Sequence, residues 1–189
     1  MTVSYNKYFS SFRDPDGFIF KDVNKIIYRQ INQSYKENYL LLKNSGLYEK
    51  LIHKKMLIAH QEIEEIIFEE KNHFKTILPE QIPFISYPYE WCYDQLKDAA
   101  LLTLDLIKLS LEHGMVLKDA TPFNIQFHKG ECLFIDTLSF EKYIDGSPWI
   151  AYRQFCENFL APLLLAHYSE NNLNQILTVF PDGIPLNYV

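Results

Sequence analysis

Asp119, Asn124 and Asp136 are the residues of this sequence whose types and order could do chemistry. Two carboxylates and an amide carbonyl are hard oxygen donors, the kind that magnesium takes, and magnesium in turn holds phosphate oxygens. A carboxylate beside such an ion can also orient an attacking hydroxyl or accept its proton. Phosphoryl transfer is therefore the chemistry this set would serve. Asp119 precedes Asn124 by five positions, and a turn at Gly130 leads to a strand that ends in Asp136. Spacing alone selects nothing, because Asp182 and Asn187 also stand five apart. Context separates the pairs: a long apolar stretch precedes Asp119 and a hairpin with a terminal Asp follows it, and neither flanks Asp182. A structural reading stands beside the chemical one, with Asp119 and Pro122 in a turn, Asn124 as its cap and Asp136 as a strand end.

The elements that must position these residues show in periodicity and punctuation. Residues 17–20 and 26–31 are β-rich runs around the polar stretch 21–25, which predicts a β-hairpin. Ser34-Tyr-Lys-Glu37 has the form of a capping box, so a helix starts at Tyr35, with Tyr35, Tyr39 and Leu42 on its apolar side. Asn44-Ser45-Gly46 stops it before a second short helix from Leu47. Residues 61–71 read as irregular, and 74–78 and 82–87 as short strands punctuated by Pro79, Pro83 and Pro88. Residues 93–113 are apolar nearly all round, which predicts a centrally buried helix closed by Gly114, with His113 near its carboxyl end serving the helix dipole. Residues 115–127 then give a loop and a strand, 128–130 a turn, and 132–136 a second strand. Ser147 and Pro148 mark the start of a helix that runs toward a kink at Pro162, and 173–179 a last helix. The expected class is α+β.

A chain of 189 residues, 48% hydrophobic and 22% charged, buries a core as one domain or as two small lobes sharing a cleft. Its thirteen Tyr and fourteen Phe read as dense core and lobe interface. A net charge of −6 without a Lys/Arg cluster argues against nucleic acid as the primary partner and implies that bound phosphate arrives with a cation. Cys92, Cys132 and Cys156 are odd in number and widely spaced, which fits buried free thiols better than a disulfide framework or a zinc site. The amino terminus carries no secretory pattern, and the longest apolar stretch, 159–166, contains Pro162 and is too short to span a bilayer. A cytoplasmic location without a membrane partner is the expectation.

Two resemblances add to this. Leu117-Lys-Asp-Ala-Thr-Pro-Phe-Asn124 through Ile135-Asp136 resembles the catalytic and metal loops of protein-kinase-like and aminoglycoside-phosphotransferase-like folds. The resemblance implies a protein-kinase-like two-lobe fold: a small antiparallel-sheet lobe over 13–91, a mainly helical lobe over 92–189, and ATP with Mg2+ as cofactors. Under it Asp119 is the catalytic-loop Asp, Asn124 and Asp136 hold the metal, and segment 86–91, with Tyr87 and Tyr89, is the hinge at the adenine. Arg29 stands where a strand lysine meets the phosphates and can pair with them bidentately, with Glu37 orienting it, although the capping box already gives Glu37 a role. Lys118, with Leu117, replaces the His-Arg before the Asp and joins the cofactor-binding set. The sequence departs from the pattern in having no glycine-rich loop between its first strands and no Gly after Asp136. Nucleotide binding without transfer, a pseudokinase-like role, therefore stands beside catalysis.

Arg13-Asp-Pro-Asp-Gly-Phe18, Tyr28-Arg-Gln30, Ile82-Pro-Phe-Ile-Ser-Tyr-Pro-Tyr-Glu-Trp91, Leu117-Lys-Asp-Ala120 and Ile150-Ala-Tyr-Arg-Gln-Phe-Cys156 resemble the amino-terminal part of bacterial class I SAM-dependent methyltransferases related to nodulation proteins. This resemblance covers most of the chain. It implies that a methyltransferase domain binding S-adenosylmethionine follows, since no acidic residue leading into Gly-x-Gly occurs here; the chain resembles the leading part. The implied partners are a nucleotide, a small-molecule acceptor or a methyltransferase domain. A third reading is a scaffold whose Tyr- and Phe-rich surface binds a partner protein.

Overall fold

The computed structural model describes residues 6–7, 14–64, 68–69, 71–169 and 174–189; Arg13, residues 65–67 and 70, and Leu173 lie outside them. Aromatic and β-branched residues at alternate positions form the expected hairpin. After β1 (Asn6–Lys7), β2 (Gly17–Lys21) pairs antiparallel with β3 (Ile27–Asn32). β4 (His60–Ile63) and β5 (His73–Pro79) complete a five-stranded sheet of order β1-β2-β3-β5-β4, antiparallel throughout.

Register decides what faces the site. Ile19 lies opposite Arg29 and Arg29 opposite Ile77, so one row crosses three strands on the same face. The opposite face carries Phe18, Phe20 and Tyr28, a separate aromatic cluster. Gly17 lies where β2 meets this arrangement most tightly: a Cβ there would stand 2.3 Å from the Gln30 carbonyl oxygen and 2.7 Å from Leu138 Cδ1. Only a residue without a side chain fits.

Two strand expectations change. The start of the stretch expected to be irregular is β4, a polar edge strand that β5 recruits through its free hydrogen-bonding edge. Residues 82–87 form no strand; the chain there is tied down by the Gln126 side chain, whose Oε1 accepts from the Ser86 amide and whose Nε2 donates to the Ser86 carbonyl, each at 2.9 Å.

α1 (Lys36–Asn44) and α2 (Leu47–His53) are joined through Gly46 in the left-handed conformation, φ 79°. The capping box is not formed. Residues Gln33–Tyr35 make a 3-10 turn instead, and the Ser34 hydroxyl donates to the Pro15 carbonyl at 3.1 Å, leaving Glu37 exposed. α3 (Tyr93–Glu112) is the predicted long helix, closed by His113, whose Nδ1 donates to the Leu109 carbonyl at 2.8 Å. It is amphipathic rather than buried all round: Leu96, Ala99, Leu106 and Leu109 enter the main core, while Leu101, Leu104 and Leu111 face solvent.

Two short strand pairs follow. β6 (Met115–Leu117) pairs with β9 (Phe140–Lys142), and between them β7 (Ile125–His128) and β8 (Glu131–Phe134) form a hairpin turned by Lys129 and Gly130. Both turn residues have positive φ, 52° and 81°, the geometry of a tight hairpin turn whose twist matches its strands. The next helix begins at Tyr152, not Pro148, because the Ser147 hydroxyl turns back to the Ile144 carbonyl at 2.6 Å. It runs as α4 (Tyr152–Phe155), a π-helical segment Cys156–Leu160, and α5 (Ala161–Ser169). Pro162 has no N–H to donate, and the backbone widens into π geometry just before it, where a kink was expected. The last expected helix is a 3-10 segment, Asn174–Thr178, over its described part. Of the thiols, Cys156 is buried and Cys132 half-buried, whereas Cys92 is exposed, a correction to the expectation for all three.

The connection between α2 and β4 bonds to the end of β8, two residues before Asp136. The Ile58 amide donates to the Phe134 carbonyl at 2.8 Å, and the Phe134 amide to the Met56 carbonyl at 3.0 Å. Ile31, Tyr35, Tyr39, Ile77 and Leu138 form one buried cluster, so the residue two after Asp136 packs against the sheet and α1. The class is α+β, a small antiparallel sheet with helices. Among the described residues no helix is long and apolar enough to cross a membrane.

Candidate functional site

The loop after β6 is held from three sides. Lys118 N–H donates to the Ser139 carbonyl at 2.8 Å, Trp149 Nε1 donates to the Leu117 carbonyl at 2.8 Å, and the Ala120 amide donates to Gln154 Oε1 at 2.7 Å. Thr121, rather than Asn124, caps the single turn Pro122–Asn124, its hydroxyl accepting from the Phe123 amide at 3.4 Å. That leaves the Asn124 side chain free to face Asp119: Asn124 Nδ2 donates to Asp119 Oδ2 at 3.0 Å. Asp119 Oδ1 is buried and has no hydrogen-bond partner of good geometry among the described residues, although the Gln154 side chain and Thr121 amide lie near the carboxylate.

Asp136 sits where β8 ends, and the amide of Ile135 donates to the Asn124 carbonyl at 2.8 Å, which draws the two candidate ligand positions together. Asp136 Oδ1 accepts from the Leu138 amide at 2.9 Å and from Arg29 Nη1 at 2.5 Å, and Oδ2 accepts from the Ser139 hydroxyl at 2.8 Å. Arg29 Nη2 reaches Asp14 Oδ2 at 3.2 Å. Lys118 Nζ, 5.2 Å from the centre of the Tyr35 ring, pairs with Asp16 Oδ2.

These surroundings push the two carboxylates apart. Burial raises the pKa of Asp119, the Asn124 amide partly offsets it, and the charge on Asp136 raises it further. Burial works against the charged form of Asp136 as well, but the Arg29 guanidinium, the Ser139 hydroxyl and the Leu138 amide overcome it and hold its pKa below the usual aspartate range. Asp136 is thus a fixed anion, and Asp119 a more basic one with an unused oxygen.

Two cavities meet at these residues. One, of about 470 Å³, is largely apolar, lined among others by Ile58, Ile77, Ile82, Ile85, Phe123 and Ile135, with Gln126 and Tyr87 at its edge. The other, of about 640 Å³, holds Asp14, Arg29, Lys118, Asp119, Asn124 and Asp136. Ile19, Arg29, Phe123 and Ile135 line both, so the apolar and polar chambers share a wall. The first is within the size range of small-molecule sites.

The donor set fits magnesium in part. Asp119 Oδ1 has no partner of good geometry among the described residues, Asn124 keeps its amide oxygen while its nitrogen serves Asp119, and Asp136 Oδ2 has one lone pair beyond Ser139. Among the described residues no cluster of three or more His, Cys, Asp or Glu side chains could hold a metal alone. Two carboxylates and an amide suit a magnesium ion whose shell is completed by phosphate oxygens and water.

The structure therefore brings Arg29, Lys118, Asp119, Asn124 and Asp136 to one cavity. Glu37 is elsewhere: it is exposed on α1, and the partners of Arg29 are Asp14 and Asp136, so the expected Arg29–Glu37 pairing is not made. Tyr87 reaches the apolar cavity, but Tyr89 stacks on it at 5.3 Å and packs toward Leu177 and Ile184 instead of lining that cavity. The wall expected from segment 86–91 comes mainly from Pro79, Glu80, Ile82 and Ile85. Sequence reasoning missed Asp14, Asp16, Phe123, Gln126 and Gln154 as site residues. The Asp-Pro-Asp-Gly turn signal is there to read; which cations it meets, Arg29 15 positions from Asp14 and Lys118 102 positions from Asp16, is not.

No family model matches this chain. Over 157 residues, 82% of its length, it is 34% identical to nodulation protein NoeA of Rhizobium meliloti (strain 1021). The chain spans about a third, 32%, of that protein's length. This likeness agrees with a relation to nodulation proteins.

Proposed function

We propose that this chain is a kinase-like domain that binds ATP with magnesium in the cleft between its sheet and the Asp119–Asp136 loops. The observation that carries the reading is the shared wall: an apolar chamber large enough for a planar base adjoins a chamber with three carboxylates, an amide, an arginine and a lysine. In this reading the base enters between the isoleucines of the sheet and Phe123, Asp119, Asn124 and Asp136 hold the magnesium, and Arg29 and Lys118 meet phosphate oxygens. Magnesium supplies charge neutralisation for the phosphates. Asp119, the more basic of the two carboxylates, orients the hydroxyl of a small-molecule acceptor. In this proposal, supported by likeness to a protein about three times as long, such a domain works within a larger chain, and methyl transfer from S-adenosylmethionine outside these residues is the proposed activity of that chain.

The second reading, a non-catalytic module of that larger protein, draws on one observation: Asp136, Arg29 and Lys118 are all engaged by the chain's own side chains. Calorimetric titration of ATP, with and without magnesium, separates these outcomes. Magnesium-dependent binding that Asp119→Ala weakens supports the nucleotide site, and phosphate release that Asp119→Asn abolishes supports catalysis. Binding without turnover favours the module, and no heat in either condition sinks the kinase reading and leaves the module.

A further inference from the structure

Arg29 and Lys118 line the polar cavity, and the chain's own carboxylates already hold both. The way Arg29 is held is uneven. Its Nη1 makes the short bond to Asp136, but the edge formed by Nε and Nη2 carries a single bond, Nη2 to Asp14 Oδ2 at 3.2 Å. Nε is buried with no partner among the described residues. A guanidinium edge offers two parallel donors, and one oxygen from Asp14 leaves half of it unused. A phosphate group could satisfy both.

The backbone that brings these carboxylates in is anchored. Asn32 N–H donates to the Asp16 carbonyl at 2.8 Å, Asn32 Nδ2 donates to the Pro15 carbonyl at 2.8 Å, and Gly17 is pressed against β3 and Leu138. Asp14 Oδ1 also accepts from the Asp16 amide at 2.9 Å, closing a turn on itself. The loop as a whole is therefore held in place, and only the Asp14 and Asp16 side chains can yield by changing rotamer.

We propose that Asp14 and Asp16 form an internal carboxylate plug that competes with phosphate oxygens for Arg29 and Lys118, and that a polyphosphate carried with magnesium is the ligand class that displaces it. The inference rests on the nucleotide reading of the same cleft and adds its regulation. With Asp14, Asp16, Asp119 and Asp136 around two cations, the cleft repels a bare anion; magnesium offsets the inner pair of carboxylates, and rotation of Asp14 and Asp16 frees the cations. A competing internal occupant lowers apparent affinity by the fraction of molecules in which the receptor is free.

Asp14→Asn and Asp16→Asn test this with little change of shape, since an asparagine at position 14 keeps an oxygen for the Asp16 amide. Magnesium tripolyphosphate and magnesium ATP are titrated calorimetrically into the wild type, both single variants and the double variant, after circular-dichroism melts confirm folding. Asp16→Asn removes only the Lys118 partner and guards against loss of the turn in the double variant. The plug predicts tripolyphosphate binding at least about tenfold tighter in the double variant, with the single variants between. Unchanged or weaker binding, or none at all by the double variant, overturns it; weaker binding would make the two aspartates positioning residues. Magnesium ATP bound equally by wild type and double variant would remove the plug and leave the nucleotide site. Tightened tripolyphosphate binding without ATP binding would keep the plug and remove the nucleotide reading.

Discussion

Asp119 and Asp136 are the same residue type in opposite circumstances, and opposite stabilities follow from substituting them. The folded state lowers the pKa of Asp136, so this residue contributes stability above the ordinary carboxylate pKa and loses it only as pH falls through its depressed value. Asp119 is raised, so stability is lost as pH climbs from the ordinary carboxylate pKa to its higher folded value, and the full cost is present above that. Asp136→Asn leaves the half-buried Arg29 without its closest counter-charge and should cost about 2–4 kcal/mol, a fall of roughly 5–15 °C in Tm. Asp119→Asn should be neutral or stabilising by up to about 1 kcal/mol. Thermal melts at neutral pH check both; equal losses would mean that the asymmetry is absent. The chemical types of these residues were legible in the sequence, and so was their order. Their partners were not, because Arg29 and Asp136 are 107 positions apart and only strand register makes them neighbours.

At the scale of elements, β4 is fastened to α1 and α2 through His60. Tyr39 donates its hydroxyl proton to Glu62 Oε1 at 2.8 Å, so at 3.0 Å from the same oxygen His60 Nε2 must be the donor. Nδ1 is then an acceptor, buried with no partner among the described residues, and a proton placed there is opposed by burial and by the Lys43 charge and favoured by Glu62. Burial first, then Lys43, lowers the His60 pKa from 6.5 to about 4. The unfolded chain takes up the proton first, so stability falls as pH drops from 6.5 to about 4, by at most about 3 kcal/mol. Urea unfolding at neutral pH and at about pH 4.5 should show a smaller acid loss for His60→Gln than for the wild type, and equal losses would contradict the assignment. Local signals gave the hairpin β2–β3, α3 and the hairpin β7–β8, whose residues state their own periodicity. They failed where a distant group decides: Ser34 bonds Pro15 rather than capping α1, β4 exists because β5 has a free edge, and Ser147 turns away from Pro148.

Across the whole molecule, the sheet supplies the apolar roof and Arg29, the loops between β6 and β9 supply the oxygen ligands, and Gln126 ties segment 82–87 to the same hairpin. Each part is ordinary, and the cleft exists only where they meet. That meeting is why the carboxylates were readable in advance and the apolar chamber was not: its lining residues come from β2, β3, β5, β7 and four connections scattered along the chain. The most direct test of the proposed cleft is a crystal structure grown with a non-hydrolysable ATP analogue and manganese in place of magnesium, using anomalous scattering to locate the metal. The nucleotide reading predicts a manganese peak within bonding reach of Asp119 and Asp136, about 2.0–2.3 Å from their oxygens, with the base in the isoleucine-lined chamber. A metal bound elsewhere, or an empty chamber at saturating analogue, would contradict it.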